Sequence, residues 1–313
     1  MNGEFYALKE IPKLKLIEYK EVYCHVNEPN ILKKFENYYF LPKIISSFQD
    51  YDNLYIVTNY YSGKTLNYYK DTLMTENQIK FISACIIQSL FYLRKEQIIH
   101  RDIRMNNIIL DNNNYFNLID YSYSISYNNK NNFLNYVIGY VYDNAPEIQN
   151  RSIYDYNSDY YRLGGSIIYY LMFKKQINKV KKEKNISEII IDYNNITNYS
   201  SASIDFINKL IITDYKKRIG FNSINELKKH YWFKDFNWEE FSKKKLNSPL
   251  NFLVNESNKY NESICSKFNF TLKEKLTFKN ISEQLLYKNS IKKFDYVNKK
   301  IILKILKLIK YTF

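Results

Sequence analysis

His100-Arg101-Asp102-Ile103-Arg104-Met105-Asn106-Asn107 runs directly into two short apolar stretches, Ile108-Ile109-Leu110 and Tyr115-Phe116-Asn117-Leu118-Ile119, which are separated by Asp111-Asn112-Asn113-Asn114 and closed by Asp120. Two apolar runs around a polar turn read as a β-hairpin. A hairpin brings its ends together, so Asp102 and Asn107 ahead of it and Asp120 behind it are expected to converge. None of the three is needed to make the hairpin. Two carboxylates and an amide oxygen form a hard oxygen site suited to magnesium, which keeps waters and takes its other ligands from substrate phosphates.

On the N-terminal side, Phe5 to Ile11 reads as a strand, and a basic segment leads into a helical pattern over Val22 to Phe35. Ile44 to Phe48 and Asn53 to Asn59 read as a second hairpin, with Gln49 to Asp52 as its polar turn. Thr75 with Gln78 three residues on has capping-box form, and Ile79, Ile82, Ile86, Leu90 and Leu93 follow at helical spacing. That spacing predicts a helix with one buried face and no call for a ligand. After Asp159 the chain turns helical again, with Leu163, Ile167, Tyr170 and Leu171 on one side. Further helices are expected near Ser203 to Ile212 and Ser223 to His230. There is no internal repeat, and the class is α+β with helices dominating the second half.

A chain of 313 residues can bury the core of one large domain or of two ordinary ones. No run approaches the roughly 20 apolar residues of a membrane span, and MNGEFYALKE lacks the core of a signal peptide, so an intracellular, cytoplasmic protein is expected. Cys24, Cys85 and Cys265 are too scattered for a disulfide framework and, with His25, His100 and His230, for a zinc site. The net charge of +14 raises nucleic acid or anionic membrane as partners. Its lysines, however, are spread along a chain rich in Lys, Asn, Ile, Tyr and Phe, the composition of an AT-rich genome; no specific nucleic-acid binding is expected. In the tail, Lys300, Lys304 and Lys307 form one stripe of a helical pattern whose remaining positions are Ile and Leu. This basic amphipathic helix would dock on the rest of the chain or meet an anionic membrane surface.

His100 to Asn107 resembles the catalytic loop of eukaryotic protein kinases, H-R-D-L-x-x-x-N. Leu118-Ile119-Asp120-Tyr121-Ser122 stands where that family has D-F-G, and Ala145-Pro146-Glu147 matches A-P-E. Tyr6-Ala7-Leu8-Lys9 resembles V-A-I-K, and Asn27-Glu28 falls where a helix supplies the partner of that lysine. Asp159 to Gly164 is similar to D-x-W-x-x-G with Tyr161 for Trp, and Arg218 sits where the family's last motif has its arginine. The resemblance covers residues 5 to 250. The run from Arg218 through Trp232-Phe233, Trp238 and Pro249 resembles the end of the cyclic-nucleotide-dependent (AGC) branch of Ser/Thr kinases.

The resemblance implies an α+β, two-lobed kinase fold, with residues 1–61 as an incomplete small lobe, 62–250 as a mainly helical large lobe and 251–313 as a tail. It implies ATP and Mg²⁺ as cofactors and a protein substrate whose hydroxyl accepts the γ-phosphate. Asp102 would take the hydroxyl proton, Asn107 and Asp120 would hold the metal, and Lys9 paired with Glu28 would hold the α and β phosphates. Arg104 would stand near the γ-phosphate. Thr58 would be the gatekeeper, and Asn59 to Tyr61 the hinge that meets adenine. Glu147 with Arg218, and Asp159 with the backbone of the catalytic loop, would be structural ties.

The chain also departs from the family. Its glycines, Gly3, Gly63, Gly139, Gly164, Gly165 and Gly220, make no G-x-G-x-x-G ahead of Lys9. Pro29, next to Glu28, is expected to kink the turn that aims the glutamate. Ser122 replaces the glycine of D-F-G and is expected to cost backbone freedom there. Tyr136 and Tyr140 stand where the AGC branch has its phosphorylated Thr and the Thr that contacts the catalytic loop. Asn106 is not the acidic residue that reads a basic substrate. Two classes of function are left, an active Ser/Thr kinase and a pseudokinase that acts as a binding scaffold.

Overall fold

The computed structural model of the chain describes residues 5–18, 22–127, 144–149, 155–175, 191, 198–253, 294 and 296–297. Contacts divide it into two units, one holding the residues up to Glu36, 43–60 and those after 253, the other holding 37–42 and 61–253.

In the first unit, alternation along β1 (Tyr6–Pro12) leaves Tyr6, Leu8 and Glu10 exposed and turns Ala7, Lys9 and Ile11 to the covered face. Next come α1 (Lys13–Glu18) and α2 (Val22–Leu32), which closes in a 3₁₀ turn at Lys33–Phe35. β2 (Ile44–Gln49) and β3 (Asn53–Asn59) form the expected hairpin. Its turn is fixed by Asp50, whose Oδ1 accepts the N–H of Asp52 at 2.9 Å and of Asn53 at 2.7 Å, while Oδ2 accepts the Tyr55 hydroxyl at 2.7 Å. β3 lies between β1 and β2, and the register sets Ala7 opposite Thr58 and Lys9 opposite Ile56.

Three strands were expected in this sheet, and it has a fourth. Tyr296–Val297 pairs antiparallel with the outer edge of β2, Ser47 donates its hydroxyl to the Phe294 carbonyl, and Phe294 is buried. An open edge presents unsatisfied N–H and C=O groups. A segment far along the chain satisfies them here, and no local pattern announces so distant a pairing.

In the second unit, α3 (Glu76–Lys95) opens on the predicted capping box. Thr75 Oγ1 accepts the Gln78 N–H at 3.3 Å and Gln78 Oε1 accepts the Thr75 N–H at 2.8 Å. The predicted face, Ile79, Ile82, Ile86, Leu90 and Leu93, is buried. β4 (Ile98–Ile99), β5 (Ile108–Leu110), β6 (Phe116–Leu118) and β7 (Ile125–Ser126) form two antiparallel ladders, β4 with β7 and β5 with β6. The helices α4 (Pro146–Gln149), α5 (Tyr156–Arg162), α6 (Tyr169–Phe173), α7 (Ser201–Leu210), α8 (Asn225–Lys229) and α9 (Trp238–Ser242) follow.

The regular helix expected after Asp159 is interrupted. Leu163–Ile168, between α5 and α6, is a π-helix, and the Tyr169 N–H bonds the Gly164 carbonyl five residues back. A Cβ on Gly164 would stand 2.6 Å from the Leu210 Cβ, so only glycine lets α7 approach this closely.

Tyr136, Tyr140 and the tail helix expected around Lys300, Lys304 and Lys307 lie outside the described residues. Among the described residues no helix is long and apolar enough to cross a membrane. Cys85 is buried inside α3, and burial raises its thiol pKa, which keeps it unreactive.

Candidate active site

The β5–β6 hairpin is clamped at its closed end. Asp111 Oδ1 accepts the N–H groups of Asn113 and Tyr115, each at 2.9 Å, and Oδ2 accepts Asn117 Nδ2 at 3.0 Å and Lys244 Nζ at 2.5 Å. Lys244 also reaches Asn117 Oδ1 at 2.8 Å and lies 4.9 Å from the centre of the Phe40 ring. Tyr115 packs against Phe81 and Phe241, with centroids at 4.9 and 5.5 Å. At the open end, the Ile119 N–H bonds the Asn107 carbonyl at 2.8 Å. That bond sets Asn107 and the residue after Ile119, Asp120, beside each other, as the hairpin reading required.

Asp159, on α5, holds the loop ahead of the hairpin. Its Oδ2 accepts the His100 N–H at 2.8 Å and its Oδ1 the Arg101 N–H at 3.0 Å. Burial pushes this carboxyl up to about 6, against the pull of those two N–H groups and of Arg162 and Arg101. Two non-glycine residues of the site have left-handed backbone, Arg101 at φ 68° and Asp120 at φ 63°. Such values cost free energy and persist where the surroundings hold them.

Asp102 is 3% exposed. Asn107 Nδ2 donates to its Oδ2 at 2.7 Å and to its backbone carbonyl at 3.0 Å. Arg162 Nη1 donates to its Oδ1 at 3.3 Å. Arg104 Nε lies 3.2 Å from Oδ2 without the alignment of a hydrogen bond, so that contact is one of charge alone. Motif reading singled out Asp102, Arg104 and Asn107 but missed Arg162, which occupies an unspecified position of D-x-W-x-x-G, and Lys244, which no motif marks.

Ser122, in the place of the family's glycine, has no left-handed backbone in this conformation. Its hydroxyl and N–H bond Asp120 Oδ1 at 2.8 and 3.3 Å. Tyr121 is buried, donates its hydroxyl to the Leu118 carbonyl at 3.1 Å and meets the His100 ring edge-on at 4.8 Å.

His100 accepts the Asp102 N–H on Nδ1 at 3.2 Å, which leaves Nε2 to donate to the Ile119 carbonyl at 3.3 Å. Burial lowers its pKa from 6.5 to about 4, although the nearby charges of Asp102 and Asp120 pull it upward. Folded protein therefore binds fewer protons here than unfolded protein between those values, and this contribution to stability is lost as pH falls from 6.5 toward 4. The raised carboxyl of Asp159 works in the opposite direction. It does so in both wild type and a His100→Phe variant, so comparing the two isolates the imidazole. The variant is expected to lose about 2 kcal/mol less stability than wild type on going from about pH 7 to about pH 5, measured by urea denaturation.

In the first unit, Lys9 Nζ bonds Glu28 Oε2 at 2.8 Å, and Glu28 is 3% exposed. The expected kink at Pro29 does not divert the glutamate. α2 runs through Pro29 to Leu32, and Glu28 still reaches Lys9 from it. Lys9 and Thr58 lie on the same face of the sheet, since Thr58 pairs with Ala7. Asn59 Oδ1 accepts the Lys43 N–H at 2.6 Å. Lys9, Glu28, Thr58 and Asn59 belong to the first unit, and Tyr61, Asp102, Arg104, Asn107 and Asp120 to the second.

The two expected ties are both made. Besides Asp159 on the loop, Arg218 grips Glu147 with two bonds, Nη1 to Oε1 at 2.7 Å and Nη2 to Oε2 at 3.0 Å, both side chains being buried.

The family described as protein kinase domain matches residues 1–233. Serine/threonine-protein kinase Sgk1 of Danio rerio is 29% identical over 261 residues, which is 80% of this chain and 59% of that protein. Sgk1 of Rattus norvegicus is 29% identical over 254 residues, 79% of this chain and 58% of its own. A probable serine/threonine-protein kinase of Dictyostelium discoideum is 30% identical over 249 residues, covering 78% of this chain and 54% of its own. The chain thus spans less than two thirds of the length of these curated relatives.

Proposed function

This chain belongs to the protein kinase family, with its likeness to the AGC branch of Ser/Thr kinases, and from that premise we propose that it transfers the γ-phosphate of ATP to a protein serine or threonine hydroxyl. The observation that carries the reading is the hairpin. Its open end sets Asn107 beside Asp120, and Asn107 is bonded to Asp102. An amide oxygen and a carboxylate so placed are the donor set a hard cation takes. When bound, magnesium neutralises phosphate charge, which is most of what phosphoryl transfer asks of a protein.

This chain's own residues do the rest. Asp102 accepts the proton of the attacking hydroxyl and orients its oxygen. Asn107 and Asp120 hold the metal. Lys9, kept in place by Glu28, holds the α and β phosphates, and Arg104 supplies positive charge toward the γ-phosphate. Thr58, Asn59 and Tyr61 line the adenine side. In this reading residues 1–61 are the small lobe, 62–250 the large lobe and 251–313 the tail.

Calorimetry and a transfer assay on generic protein acceptors test the reading together. Wild type is expected to bind ATP in a magnesium-dependent manner, and Asp120→Asn to lower that affinity by roughly tenfold or more while leaving metal-free ADP binding unchanged. Unaltered metal-dependent binding in Asp120→Asn refutes the metal role. Wild type that binds MgATP yet phosphorylates no acceptor is a binding scaffold, the second class of function that the sequence left open.

A further inference from the structure

α5 presents two groups on one face, Asp159 and, one turn on, Arg162. Asp159 grips the backbone of His100 and Arg101. Arg162 grips the side chain of the next residue, Asp102, through Nη1, while its Nη2 donates to Asn144 Oδ1. The Arg162 and Asp102 side chains are each 4% exposed. A guanidinium is costly to bury unless its fork meets a carboxylate and further acceptors, so what Arg162 joins accounts for its place. It joins the carboxylate of the loop to the residue just ahead of Ala145-Pro146-Glu147. Asn144 is itself buried, and its carbonyl accepts Gln149 Nε2 at 2.9 Å.

The two oxygens of Asp102 are held differently. Asn107 and Arg104 both approach Oδ2, whereas among the described residues Arg162 is the sole hydrogen-bond donor to Oδ1. Turning the carboxylate about its bond to Cβ moves both oxygens, so the Asn107 bond on Oδ2 and the Arg162 bond on Oδ1 restrain that rotation together, and losing either widens it. We propose that Arg162 is a positioning residue for Asp102: its fork restrains the rotation of the carboxylate and ties that rotation to the anchor formed by Asn144 and the Arg218-held Glu147. The proposal rests on the reading of Asp102 as proton acceptor. An error of about 1 Å in the placement of a reacting group costs on the order of 100-fold in rate, so the tie acts on turnover and not on nucleotide binding.

The test combines transfer kinetics, MgATP calorimetry and amide hydrogen exchange of the 98–107 segment, with α3 as an internal reference for folding. Arg162→Met is expected to lower kcat roughly 10- to 100-fold, keep MgATP affinity within about twofold and speed exchange in 98–107 while α3 is unchanged. Arg162→Lys, whose single ammonium can hold Oδ1 but not Asn144 as well, is expected to recover part of that kcat. An unchanged kcat in folded Arg162→Met overturns the proposal, as does a loss of kcat matched by an equal loss of MgATP affinity. Should Arg162→Met fail to fold, Asn144→Ala decides, since it leaves the guanidinium on Asp102 and removes its second anchor. Lower kcat with MgATP affinity kept supports the tie, and unchanged kcat overturns it. Should wild type transfer no phosphate, the proposed activity fails and exchange alone judges the tie: faster exchange of 98–107 in Arg162→Met upholds it, and unchanged exchange overturns it.

Discussion

Asp102→Asn is expected to cut phosphoryl transfer by roughly 10²- to 10⁴-fold, the range a positioned general base contributes. Affinity for MgATP should stay within about twofold, because the proposed metal donors Asn107 and Asp120 are untouched. The substitution keeps the shape of the side chain and one oxygen but removes the charge proposed to accept a proton. It also leaves the buried Arg162 guanidinium facing a neutral amide where it had a carboxylate, so a lower melting temperature should accompany the loss of rate. Kinetics on protein that is folded by exchange or circular dichroism separates the two effects. Transfer that persists within tenfold of wild type would remove Asp102 from the role of proton acceptor.

What local reading revealed of this site, and what it hid, divides by the distance over which each feature is held together, while the ties of Asp159 to His100 and Arg218 to Glu147, 59 and 71 residues apart, came from the resemblance. The hairpin was legible because two apolar runs and a polar turn are local, and the convergence of Asn107 with Asp120 follows from that pattern alone. The capping box at Thr75 and the Asp50 turn were legible for the same reason. The Lys9–Glu28 pair spans 19 residues, and only the family resemblance placed it. Beyond that range local reading had no purchase. Lys244 meets Asp111 133 residues away, Arg162 meets Asp102 60 residues away, and Ser47 meets Phe294 across 247 residues.

Rules about single residues also say little until the contacts around those residues are known. Pro29 removes one N–H, yet α2 continues and Glu28 is aimed by its bond to Lys9. Ser122 lacks glycine's freedom, yet the left-handed residue of that segment is Asp120. The π-helix at Leu163–Ile168 belongs with these cases. The paired glycines were visible, but the close approach of Leu210 that selects Gly164 was not.

Arg218→Met should be the most destabilising of these substitutions, lowering stability by about 3 to 5 kcal/mol, the cost of breaking a buried ion pair from one side. Arg218 has 0% side-chain exposure and Glu147 5%. Besides the carboxylate, the guanidinium serves the Asn157 carbonyl from Nη1 at 2.7 Å and the Ile212 carbonyl from Nε and Nη2 at 3.1 and 2.9 Å. Methionine fills much of the same volume but leaves one charge and two carbonyls without these donors. Lysine is no substitute, since one ammonium cannot reproduce a planar fork that meets three acceptors. Urea denaturation should therefore find Arg218→Lys destabilised too. The double variant Arg218→Met with Glu147→Leu should regain part of the loss, because it no longer strands a buried charge. A double variant no more stable than Arg218→Met would show that the cost lies in the orphaned carbonyls and not in the carboxylate. Glu147 stands three residues after Asn144, and Asn144 holds Arg162 against Asp102. Any folded Arg218 variant should on that account lose turnover while it keeps MgATP affinity, which steady-state kinetics with parallel calorimetry can read directly.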